Sequence, residues 1–191
     1  MSMKDFPRGF TGATDEDAVI LVDGNDKALG TAPKIDAHRR GLKHRAVSAL
    51  VRNSEGAMLL QRRADGKYHS AGLWTNACCS HPRPDESAAA AVRRRLAEEM
   101  GVDCELAPLF TTSYRAKVSN DLVEDEVVHV FGGLHDGAVA PDANEVSEWK
   151  WISADALIAD QAAHPELYTV WFLHYMQNFG DVIAAWLRPG R

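Results

Sequence analysis

Apolar positions alternate with polar ones along much of the first two thirds of the chain, then recur at helical spacing toward its end. AVILVDGNDKALG reads as two strands joined by a reversal at Asp23 to Asp26, where Asp-Gly-Asn-Asp favours a tight turn. HRAVSALVRNSEGAMLLQRRA repeats that arrangement, with its turn at Asn53 to Gly56. GLWTNACC is extended, and DESAAAAVRRRLAEEMG predicts a helix from its alanine-rich body, with Gly101 where a C-cap glycine belongs. LFTTSYRAKV and EDEVVHVFGGL follow as strands, then SEWKWIS. Ser153 caps a helix through His164, and Pro165 interrupts the chain before the longer helix ELYTVWFLHYMQNFGDVIAAWL. β-Hairpins around one central helix, with helices at the C-terminus, predict an α+β domain in α/β/α layers. Residues 1–16, polar and carrying Gly and Pro, read as a leader, and 17–191 as a single domain.

Composition narrows the function. The chain has 191 residues, of which 46% are hydrophobic and 25% charged, as in a globular protein with a sizeable core. A net charge of -6 supplies no general attraction to nucleic acid or anionic lipid, so any phosphate affinity has to come from a local basic cluster. No run of about 18 apolar residues is present to span a membrane, and the N-terminus has no secretory h-region. Three cysteines, two of them adjacent, argue against a disulfide framework and for a reducing cytoplasm.

The central helix carries the first chemical anomaly. With Val92 at the origin, Leu96, Ala89 and Met100 span about 80° of the wheel, and Glu99 falls about 20° from Val92 on that apolar side. A buried carboxylate needs a cation, either Arg95 one turn back or a metal. On an extended LVEDEVVHVF, Glu124 and Glu126 share a face with Val128 and Val130, and paired carboxylates repel unless a proton or metal lies between them. His38, His44 and His81 complete a nitrogen and oxygen donor set suited to Mg²⁺, Mn²⁺ or Zn²⁺. His69, His129, His135, His164 and His174 read as packing or surface residues. Basic side chains gather at Lys34, Arg62, Arg63 and Lys67 and at 93–95, a pattern suited to a small phosphorylated ligand. Arg93 and Arg94 read as a solvated helix face, with Arg95 nearer the apolar side.

Residues 86–102 resemble the box of the Nudix diphosphate hydrolases, with Glu86, Arg94, Leu96, Glu98, Glu99, Gly101 and Val102 in its slots. Ser80 stands where the box has its first glycine, and Arg95 replaces a glutamate of the metal set that a hydrolase needs. From about Asp17 to about Trp171 the chain resembles the type I isopentenyl-diphosphate isomerases. KIDAHRRGLKHRAVS, RRADGKYHSAGLWTNACCSHP, RRRLAEEMG and YRAKVSNDLVEDEVVHVF match in order and spacing. The resemblance implies a Nudix-like α/β/α layered fold with a mixed sheet and a central Nudix-type helix. It also implies a cytoplasmic, monomeric isomerase of isoprenoid biosynthesis, acting on a small-molecule diphosphate without nucleic acid or membrane. The two rivals are a Nudix hydrolase and a non-enzymatic metal-binding module of the same fold.

The same resemblance assigns roles. Cys79 and Glu126 would be the acid and base on opposite sides of the substrate's carbon chain, with Tyr114 assisting proton transfer at Glu126. A thiolate at Cys79 would require a depressed pKa, which a nearby metal-bound histidine and cationic groups would provide. Trp171 would shelter the carbocation with its π face, for up to ~2 kcal/mol. One Mn²⁺, Mg²⁺ or Zn²⁺ would sit on His38, His44, His81, Glu124 and Glu126. A Mg²⁺ on Glu99, with Lys34, Arg63, Lys67 and Arg95, would hold the diphosphate. Cys78 falls on a variable position and takes no role.

Overall fold

A computed structural model describes residues 18–188; the leader expected over 1–16 lies outside the described residues. Strands β1 (Ala18–Val22) and β2 (Ala28–Pro33) form the expected antiparallel hairpin. Its turn is held by Asp23, whose Oδ1 accepts from the Asn25 and Lys27 amides at 2.8 and 3.0 Å. A seven-residue helix, α1 (Lys34–Arg40), follows where the sequence pattern predicts none, because seven residues are too few to display a helical period. Gly41, at φ 58°, ends it in the left-handed conformation that glycine adopts without strain.

The second expected hairpin forms its turn but not its ladder. Strands β3 (His44–Arg52) and β4 (Met58–Arg63) pair only at Arg52 and Met58, then diverge. Into that fork run two short strands, β5 (Trp74–Asn76) on β4 and β6 (Cys78–Ser80) on β3. The near-continuous apolar run of β3 suits a strand covered on both faces, and it pairs in parallel with a distant strand. That partner is β8 (Val123–Leu134), which also pairs antiparallel with β7 (Leu106–Lys117), while β9 (Val146–Ile152) lies against β4.

Helix α2 (Ala88–Met100) begins at Ser87, whose side chain accepts from the Ala90 amide, and ends at Gly101 as expected. Helix α3 (Ala154–Ala163) is capped by Ser153; a 3-10 turn at Pro165–Leu167 precedes α4 (Val170–Leu187), which bends at Phe179. One face of the sheet packs Val47, Ala49, Val51 and Leu59 on Val92, Leu96 and Met100 of α2. The other packs Ala46, Leu50, Met58 and Leu60 on Leu157 of α3 and Phe172, Tyr175 and Ile183 of α4. Each fully buried Leu, Ile, Met or Phe contributes roughly 1.5–3 kcal/mol, so the α/β/α layering rests on β3 serving both cores. No helix among the described residues is long and apolar enough to cross a membrane.

Candidate active site

The fork between β3 and β4 opens into a cavity of about 530 Å³, its open mouth included. Its walls bring together most of the chemistry-bearing residues of the sequence: Cys79, His81, Glu99, Tyr114, Glu124, Glu126 and Trp171, with Lys34, Arg63, Lys67 and Arg95.

The deep part is built by register. On parallel strands, His44 stands opposite Glu126, and α1 brings the buried His38 alongside. Ligand atoms of His38, His44, His81 and Glu126 lie within 4.8 Å of one another, as do those of a second group, His38, His69 and Glu124. His38 Nδ1 donates to the Lys34 carbonyl at 2.7 Å, and His44 Nδ1 to the Leu42 carbonyl at 2.8 Å. A carbonyl only accepts, so both Nδ1 atoms carry the proton and both Nε2 atoms of the neutral rings present lone pairs. His38 Nε2 is buried without a hydrogen-bond partner among the described residues. His44 Nε2 and His81 Nε2 approach to 3.2 Å, and His81 Nε2 lies 2.9 Å from Glu126 Oε1. Oriented imidazoles with converging lone pairs beside two carboxylates fit a divalent cation, since a metal-ligating histidine commonly donates its other nitrogen to a carbonyl.

The surrounding charges favour that fit at His81 and oppose it at His44. Burial, then the neighbouring His44 and His38, hold His81 well below its ordinary value, favouring the neutral ring that ligates. Burial also pulls His44 down, but Glu126 outweighs it and leaves His44 raised. Tyr114 donates to Glu126 Oε2 at 2.9 Å and to Glu124 Oε2 at 3.3 Å, bracing both carboxylates.

Cys79 sits on β6, where its thiol donates to Asn76 Oδ1 at 3.2 Å and lies 2.9 Å from Ser48 Oγ. Asn76 is fixed in turn by its amide, which donates to the Ala49 and Cys78 carbonyls at 2.8 Å. The expected depression of the thiol is not supplied by the protein's own groups. Burial pushes it up to about 12; the Ser48 and Asn76 hydrogen bonds oppose this, and the Glu126 and Glu99 carboxylates reinforce it. Cys79 is therefore a neutral, hydrogen-bonded thiol in this setting. Trp171 is held edge-on by its Nε1, which donates to Thr75 Oγ1 at 2.8 Å, and its face carries the Arg63 guanidinium, 5.3 Å from the ring centre. Cys78 points into the opposite core and is fully buried.

The mouth is lined with ion pairs. Arg95 Nη2 donates to Glu99 Oε1 at 2.8 Å and to Glu145 Oε1 at 3.2 Å; Lys67 also pairs with Glu145. Glu99 further accepts from Gln61 Nε2 at 3.1 Å. The ion-pair alternative for Glu99 is thus realised, and Glu99 belongs to neither candidate metal group. Arg63 Nε and Arg95 Nε are buried without an acceptor among the described residues, two donors suited to an anion.

Two readings need correction. Arg94 is not a solvated residue: its Nε and Nη2 grip both oxygens of Glu86 at 2.8 Å, a fork that anchors the start of α2. His69 is neither packing nor surface, for it lines the cavity with Nε2 2.9 Å from Glu124 Oε1. Burial, with the neighbouring Arg63 behind it, outweighs Glu124 and leaves the His69 pKa lowered. Glu145 was missed as well. Neither residue belongs to a periodic pattern, and only their neighbours in space give them meaning.

The NUDIX domain family matches residues 42–172. Proteins named isopentenyl-diphosphate Delta-isomerase are similar over most of the chain. The Burkholderia multivorans protein is 49% identical, covering 90% of this chain and 98% of its own. A second, from Aromatoleum aromaticum, is 53% identical over 82% of each. Among solved structures, DR0079 from Deinococcus radiodurans aligns with a TM-score of 0.64 at 22% identity, covering 76% of this chain and 89% of its own. The MutT protein of Methanosarcina mazei gives 0.61 at 23%, covering 73% and 94%. At those identities the two structures speak for the fold, which matches the layered architecture expected from the sequence.

Proposed function

Because the chain belongs to the NUDIX family and, within it, to the isopentenyl-diphosphate Delta-isomerases, we propose that it interconverts isopentenyl diphosphate and dimethylallyl diphosphate in this cavity. The observation that carries the reading is one cavity lined by a thiol, a carboxylate and apolar walls, with cations at its mouth. Moving the double bond requires a proton to be added at C4 and another removed at C2, through a tertiary cation at C3. Cys79 and Glu126 are the two groups for those transfers, their roles exchanging with direction. Ser48 and Asn76 orient the thiol, and Tyr114 holds a proton against Glu126 Oε2.

Ala46, Val128, Trp171 and Tyr175 keep water from a cation that would otherwise be captured as an alcohol. Arg63 over the Trp171 face makes that ring a wall shared by the hydrocarbon and the charged head. Lys34, Arg63, Lys67 and Arg95 receive the diphosphate, with Glu99 as the carboxylate for a Mg²⁺ arriving with it. A Mn²⁺, Mg²⁺ or Zn²⁺ on His38, His44, His81, Glu124 and Glu126 would withdraw charge from Glu126 and ease its proton transfer.

The decisive experiment follows isopentenyl diphosphate in D₂O by NMR. Deuterium entering at C2 and C4, with dimethylallyl diphosphate accumulating, is the expected result, and Cys79→Ala abolishes both. Release of phosphate without exchange would make the chain a hydrolase instead.

A further inference from the structure

His69 is a buried imidazole that the proposed chemistry leaves without a task. It lies in the loop between β4 and β5, directly after Tyr68 and two residues from Lys67. The loop is braced around it from three directions. Asn120 Nδ2 donates to the Tyr68 carbonyl at 2.7 Å, and Arg63 Nη2 donates to the His69 carbonyl at 3.1 Å. The Ser70 amide donates to Ser119 Oγ at 2.9 Å, although Ser70 holds φ 51°, a left-handed conformation uncommon for a residue with a Cβ. Such a conformation persists where its surroundings over-determine it, and they cluster at functional sites.

The bracing aims one ring nitrogen at one oxygen. His69 Nε2 is 2.9 Å from Glu124 Oε1, while Nδ1 lies 3.2 Å from Ser70 Oγ, a group able to donate to it. A carboxylate accepts, so Nε2 carries the proton. Tyr68 and Trp171 stand edge-on to the ring at 4.4 and 5.9 Å and fix its plane. Glu124 Oε2 is held by Tyr114, so His69 completes the hold on the other oxygen.

We propose that His69 is a positioning residue for Glu124, holding that carboxylate toward the metal-binding histidines and tying it to the loop that carries Arg63 and Lys67. The proposal rests on the metal reading given above. Hydrogen-bonded partners of metal-ligating groups typically alter metal affinity 10–100-fold when removed. His69 therefore sets how strongly the deep site holds its ion, and does so from the same loop that meets the diphosphate.

The test uses the full chain, Mn²⁺ titrated and read by EPR, and long-range ¹H–¹⁵N correlation of the imidazoles. The unsubstituted protein is expected to give the Nε2–H tautomer at His69. His69→Phe, which keeps the volume but loses the donor, should weaken Mn²⁺ about tenfold and lower kcat more than it raises KM. His69→Gln, which restores an N–H donor, should recover most of both losses. Parent-like Mn²⁺ affinity in His69→Phe would overturn the proposal. So would an Nδ1–H tautomer, or a His69→Gln variant as weak as His69→Phe, because either makes His69 a direct ligand. A parent chain that takes up no Mn²⁺ would sink the metal reading itself, and the proposal with it. Should His69→Phe not fold, the tautomer and the Gln variant still decide.

Discussion

The deep end of the cavity and its mouth solve opposite electrostatic problems. At the deep end, His38 and His44 turn lone pairs inward beside His81 and two carboxylates, and one nitrogen, His38 Nε2, has no hydrogen-bond partner among the described residues. At the mouth, Arg95 and Lys67 already share Glu145, and Arg95 also holds Glu99. The deep end lacks a positive charge. At the mouth, Arg95 and Lys67 must loosen these pairs to receive an anion, while Arg63 Nε and Arg95 Nε offer donors without an acceptor among the described residues. Binding at the first site completes a structure, whereas binding at the second replaces one ion pair with another.

Substitutions should separate the two ends by size of effect. Glu126→Gln strikes both the proton transfer and the metal set, and turnover should fall by roughly 10³-fold or more, within or beyond the usual range for a general acid–base group. Steady-state kinetics alongside Mn²⁺ binding check this; a Gln variant with near-parent turnover would end the role given to Glu126.

Thermal unfolding is the next largest contrast. Mn²⁺ at a hundredfold excess over its dissociation constant should stabilise the chain by about 2.7 kcal/mol, read as a rise in Tm. Glu145→Gln should leave that rise intact, whereas His44→Ala should abolish it. At the mouth, the same Glu145→Gln removes the carboxylate competing for Lys67 and Arg95. Inorganic pyrophosphate should then bind several-fold more tightly in calorimetry, for about 1 kcal/mol, and the gain should shrink as salt is raised.

The smallest effect concerns the anchor of α2, which carries Arg95 and Glu99. The Arg94 hydrogen bonds, with help from the Arg83 amide, hold the Glu86 carboxyl below its ordinary value against the raising effect of burial. A depressed folded-state pKa contributes stability that is present above the unfolded value of 4.5 and lost as pH falls through the folded one. Parent and Glu86→Gln should therefore differ by at most about 1 kcal/mol in denaturant unfolding at pH 7 and converge in acid.

The sequence made the elements, the donor types and the Nudix-type helix legible, because Gly101, Ser153 and the Glu99 anomaly are local signals. What it hid was non-local. Nothing in HRAVSALVRNSEGAMLLQRRA says that β3 and β4 separate after one pair, since both outcomes satisfy the same apolar pattern. The α1 helix is shorter than two turns, so His38 looked like part of a strand approach. His69 and Glu145 were invisible because their partners, Glu124, Lys67 and Arg95, lie 55, 78 and 50 positions away along the chain. The depression expected at Cys79 is not supplied by the protein's own side chains, for a related reason: burial and the Glu126 and Glu99 carboxylates outweigh the Ser48 and Asn76 hydrogen bonds.

The parallel pairing of β3 with β8 also sets an order of assembly. The rung joining His44 to Glu126 closes 82 residues of chain, and such closure waits until the intervening segments have collapsed. Synthesis from the N-terminus exposes every histidine of the donor set before it exposes Glu124 and Glu126. An unfinished chain therefore carries the nitrogen ligands but no carboxylate to set against them, and its chemistry arrives all at once, with the strand that completes the sheet.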